Sequence, residues 1–77
     1  MRNIDKLIEV AKKELEKNKY LYLEDIINSL IKLKTTSNNN EVHKICSGVT
    51  YLLLDDQKLR ESILGNKIKK VIEDYYK

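Results

Sequence analysis

A chain of 77 residues with no proline, two glycines, one cysteine and one histidine has room for a single domain over 1–77. One thiol forbids an intrachain disulfide, and one Cys with one His cannot close a zinc site, so both usual staples of small domains are excluded. Fifteen basic and twelve acidic side chains leave a formal charge of +3, and the signs alternate along most segments, unlike the one-sided charge of a dedicated nucleic-acid binder.

A domain of this size buries only about 60% of the surface its unfolded chain exposes. Regular helix packing and self-association are what remain to supply stability, with no cofactor or metal expected. No segment approaches the ~20 apolar residues of a membrane-spanning helix. The start of the chain, Met1-Arg2-Asn3-Ile4-Asp5-Lys6, lacks the apolar core of a signal peptide. The lone thiol fits a reducing compartment, so the expected location is the cytoplasm.

Along the chain, Asn3 is a candidate N-cap, and Ile4, Leu7, Ile8, Ala11 and Leu15 fall on one helical stripe. Asn18 can take the left-handed geometry that ends a helix, which predicts a first helix over about 4–17. Glu24 and Asp25 then favour a first turn, and Lys32 and Lys34 a last turn. With Leu23, Ile26, Ile27, Leu30 and Ile31 between them, a second helix is expected over about 22–34. Thr35 to Asn40 forms a polar linker, and Asn38 with Glu41 resembles a capping box opening a third helix over 39–54. Its stripe is Val42, Ile45, Cys46, Val49, Leu52 and Leu53, widened by Tyr51 and Leu54, so it is expected to be the most buried helix.

Asp55-Asp56 punctuates the chain ahead of a fourth helix over 56–76, with Leu59, Ile63, Leu64, Ile68, Val71, Ile72 and Tyr75 in phase. Gly65 is its weak point, costing roughly 1 kcal/mol against alanine inside a helix. A break there would make five helices. The fold class is therefore all-α, a small antiparallel bundle of four helices. The core is expected to comprise Ile4, Leu7, Ile8, Ala11, Leu15, Ile26, Ile27, Leu30, Val42, Ile45, Cys46, Val49, Leu52, Leu53, Leu59, Ile63, Ile68, Val71 and Ile72.

Few constellations carry chemistry. His43 and Cys46, three apart, would be near neighbours on a helix, but the simpler reading makes Cys46 a small core hydrophobe. The acidic pairs Glu24-Asp25, Asp55-Asp56 and Glu73-Asp74 point apart on a helix and do not converge on a cation. Ser47-Gly48-Val49-Thr50 resembles the turn of a helix-turn-helix, yet Tyr51-Leu52-Leu53-Leu54 follows where base-reading polar residues belong. Gly48 is better explained by a close helix approach. No catalytic residue is assigned, and an enzyme is not expected.

All five aromatic residues are tyrosines, which suit interfaces because one end buries while the hydroxyl stays hydrated. Tyr20 and Tyr22 lie in a connector short of polar residues, and Tyr76 falls off the core stripe. The expected function is a non-enzymatic protein-interaction module that binds and occludes a macromolecular partner through these three residues. Small regulators, inhibitors and immunity-type proteins include bundles of this size, an analogy of fold alone. The competing reading is a nucleic-acid-associated protein using a basic face around Lys67, Lys69 and Lys70, with Lys77 and the neighbouring tyrosines.

Overall fold

The computed structural model describes residues 3–18 and 20–76, which form five helices and no strand: α1 (Asn3–Lys17), α2 (Leu23–Thr35), α3 (Asn39–Asp55), α4 (Gln57–Arg60) and α5 (Ile63–Tyr76). The four long helices make a closed ring of contacts, α1 on α2, α2 on α3, α3 on α5 and α5 on α1, with the single turn α4 seated against α3 and α5. Lys34 near the end of α2 pairs with Asp5 near the start of α1 at 2.6 Å, which sets these two helices antiparallel. The all-α bundle expected from periodicity is what the chain forms.

α1 begins at Asn3 itself and presents Ile4, Leu7, Ile8 and Ala11 to the core. It does not end through a left-handed Asn18, since no described non-glycine residue has positive φ. Asn18 instead donates its backbone N–H to the Glu14 carbonyl at 2.9 Å and its side-chain amide to the Glu14 carboxylate at 2.8 Å.

α2 is the most buried helix, with Leu23, Ile26, Ile27, Leu30 and Leu33 all inside at helical spacing. Its acidic first turn and basic last turn oppose the helix dipole as expected. Thr36 stops it, and Asn38 starts α3 by accepting the N–H groups of Asn40 (2.8 Å) and Glu41 (3.3 Å). α3 buries only Cys46, Val49 and Leu53, which corrects the expectation that it would be the deepest helix. Leu52-Leu53-Leu54 sweeps about 200° of helix, so the three cannot all face inward. Leu53 is buried and Leu54 is exposed. Leu15, Val42, Ile45 and Leu52, expected in the core, are partly buried and pack on its edge.

The last expected helix is broken, but not at Gly65. Asp56 caps the single turn α4 by accepting the Leu59 N–H at 3.1 Å, and the chain then kinks at Glu61-Ser62. The Ser62 hydroxyl donates to the Leu59 carbonyl and accepts the Gly65 N–H at 3.0 Å, so serine is the residue that restarts the helix. Gly65 serves this bend by allowing close approach. A Cβ there would overlap the Leu59 carbonyl oxygen and lie 2.9 Å from that of Arg60. The kink also resets the helical phase. Leu59 is fully buried, Leu64 takes the next inward position, and Ile63, expected in the core, stands 77% exposed.

Candidate protein-interaction surface

Because α5 restarts at Ile63, its outward edge faces α1 across a groove. At one end Leu7, Val10 and Val71 form the floor, with Lys6, Lys67, Lys70 and Asp74 around it. At the other end Val10 and Lys67 recur beside Glu14, Tyr20, Ile63 and Leu64. The two depressions meet at Val10 and Lys67 and lie end to end along the α1–α5 seam, which together they make into a channel. The pairing of early α1 with late α5, and of late α1 with early α5, makes these helices antiparallel. A second apolar depression lies between α3 and α5, floored by Val49, Leu53 and Ile72. Leu54 (53% exposed) lines it, and Tyr51 (71%) stands in the open elsewhere on α3. Arg60 closes one edge by donating from Nη1 to the Leu54 carbonyl at 3.3 Å.

Of the three tyrosines expected to bind a partner, the side chains of Tyr20 and Tyr22 are among the described residues. Tyr20 is half-buried, packs on the core, and lines the α1–α5 channel. The Lys58 ammonium sits 5.6 Å from its ring centroid, within cation–π range. Tyr22 is half-buried at the N-cap position of α2, where its side chain makes no capping bond. Tyr76 closes α5, and its side chain lies outside the described residues.

The lysines expected to form one basic face are divided. Lys67 and Lys70 line the α1–α5 channel, where Lys6 joins them. Lys69 instead lines the α3–α5 depression, and Lys77 lies outside the described residues. Glu73 and Asp74 part in the same way, one to each side of α5.

Cys46 is fully buried, and burial pushes its thiol above its ordinary value, while His43 is on the solvent side of α3. Of the acidic pairs, Asp56 is a buried cap and its neighbour Asp55 is exposed; Glu24 and Asp25 lie exposed in the first turn of α2. Among the described residues no group of three or more His, Cys, Asp or Glu is placed to hold a metal ion, and no helix is long and apolar enough to cross a membrane. Gly48 is exposed with no heavy atom near the position of a Cβ, so the close helix approach expected there does not occur.

Sequence reasoning missed Val10, Ile63, Tyr51 and Leu54 as surface residues. Val10 carried a signal, being the one apolar residue of α1 off the Ile4–Leu15 stripe. Comparison with models of known protein families, with curated proteins and with solved structures finds no match to this chain.

Proposed function

We propose that this chain is a non-enzymatic helical module that binds a protein partner and acts by covering part of its surface, as a regulator or inhibitor does. One observation carries the reading. The bend at Ser62 and Gly65 places Ile63 outside the core, 77% exposed at the mouth of an apolar channel. Lone exposed apolar residues are ordinary, but one that extends a groove floored by Val10, Leu64 and Tyr20 gives a partner side chains to bury.

A second reading, nucleic-acid binding, draws support from Lys6, Lys67 and Lys70 lying around one channel. Such binding would be steeply salt-dependent and would recruit exposed lysines irrespective of the groove they line. Photo-crosslinking within the source cells, from benzoylphenylalanine placed at Ile63 or Tyr51, tests the preferred reading. A defined protein adduct at either position is expected. Adducts to nucleic acid alone, or no adduct at either position, would reject it.

A further inference from the structure

The α1–α5 channel differs along its length in a way that specifies its occupant. At the Leu7–Val71 end three lysines, Lys6, Lys67 and Lys70, stand around the floor against one acid, Asp74. Among the described residues none of these three lysines is ion-paired. At the other end, where Lys67 is the one lysine, Ile63 and Tyr20 widen the apolar floor, and Glu14 is already held by the Asn18 side chain at 2.8 Å. From Ile63 to Asp74 the channel runs about 16 Å along α5, three turns of helix.

We propose that this channel receives an acidic amphipathic helix of a partner protein. Its apolar anchors would sit on Val10 and Ile63, and its carboxylates, one to two turns along α5 from Ile63, among Lys67, Lys70 and Lys6. This rests on the protein-interaction reading above and names the partner's chemistry. A helix laid in a groove needs apolar anchors at three- and four-residue spacing, which the floor accepts, and unpaired lysines beside the floor reward carboxylates. A second copy of this chain fits poorly, because a two-fold contact centred on the channel would lay the Lys6–Lys70 end of one copy over the Ile63 end of the other, whose one acid, Glu14, is already held by Asn18. Nucleic acid would leave the apolar floor unused.

The test uses the full chain and a labelled amphipathic peptide of about twelve residues, with leucines on one face and glutamates toward one end. A twin peptide carries lysine for every glutamate. Fluorescence anisotropy should show the glutamate peptide binding at least tenfold more tightly than its twin. Lys67→Glu with Lys70→Glu should weaken it at least tenfold, and Lys69→Glu less than twofold. Backbone amide shifts should centre on Val10, Ile63 and Val71. Circular dichroism establishes that each variant is folded, and Ile63→Ser supplies a second, uncharged disruption of the same site.

Equal binding of the two peptides, no binding of either, shifts centred on Tyr51 and Leu54, or tight binding of duplex DNA that depends equally on Lys69 would each overturn the proposal. Crosslinking to a protein through Tyr51 but not Ile63 would overturn the channel while leaving the interaction reading standing. Loss of protein adducts at both positions would remove that reading as well.

Discussion

The carboxylate of Asp56 accepts the backbone N–H of Leu21 at 3.1 Å, across 35 positions of sequence, while its other oxygen caps α4 through Leu59. One buried side chain thus ties the α1–α2 connector to the start of the final helical segment, satisfying two backbone donors at once. Replacing it with alanine removes a cap, typically about 1 kcal/mol, and frees the Leu21 N–H, which lies on an exposed residue and can turn to water. Asp56→Ala should therefore lower stability by about 1 kcal/mol. Asp56→Asn keeps one acceptor oxygen and should fall between. Urea unfolding followed by circular dichroism measures both, and an effect under about 0.5 kcal/mol for alanine would show that the bridge does not hold.

The two glycines should respond oppositely to the same substitution. At Gly65 the new methyl would strike the backbone carbonyls of Leu59 and Arg60, which cannot swing aside as a side-chain end can. Overpacking of this kind typically costs about 1–3 kcal/mol. Gly48 sits in α3 with open space around it, so alanine there should stabilise by about 0.5–1 kcal/mol through helix propensity. Paired denaturation curves check the signs directly.

Ile63 and Leu64 are sequence neighbours with opposite fates. Leu64 is buried, and truncation to alanine should cost about 2–4 kcal/mol. Ile63→Ser removes as much apolar surface from an exposed site and should change stability by less than about 0.5 kcal/mol. A large loss at Ile63 would mean that the α5 phase is wrong.

Burial raises the Cys46 thiol above its ordinary 9.0 by disfavouring the thiolate. The folded state therefore keeps its proton to higher pH than the unfolded chain does. Stability from this group is whole below about pH 9.0 and declines as pH rises past that point. Iodoacetamide at neutral pH should modify Cys46 slowly in the folded protein and readily in urea. Cys46→Ala should flatten the alkaline part of the stability curve.

How much of this was legible beforehand varies by element, for physical reasons. The ends of α2 could be read from the charges that oppose its dipole, and most of its stripe from spacing, but Ile31, expected on that stripe, is 39% exposed and Leu33 is buried instead. Asn38 could be read as a cap from its place before Glu41. A break was expected near Gly65 and falls a turn earlier, at Glu61-Ser62, because an apolar phase that runs unbroken from Leu59 through Tyr75 looks alike whether the helix is straight or restarted. Ser62, a serine ahead of an apolar run, was the missed start signal. The outward turn of Tyr51 and Leu54 was hidden for another reason. Apolar character shows which residues prefer burial, whereas only the arrangement of α5 beside α3 decides which of them find cover. The channel was the least legible feature of all, since it exists only where two helices distant in sequence lie side by side.

The ring of helices measures 33 × 26 × 17 Å, and its shortest dimension spans about two helix diameters. In a slab this thin, every long helix is at once wall and facade. Evolution of a new contact here does not require a loop to be remodelled or a cleft to be carved. Rotating one side chain's worth of phase, as the bend before Ile63 does, is enough to move an apolar residue from the interior to the outer skin.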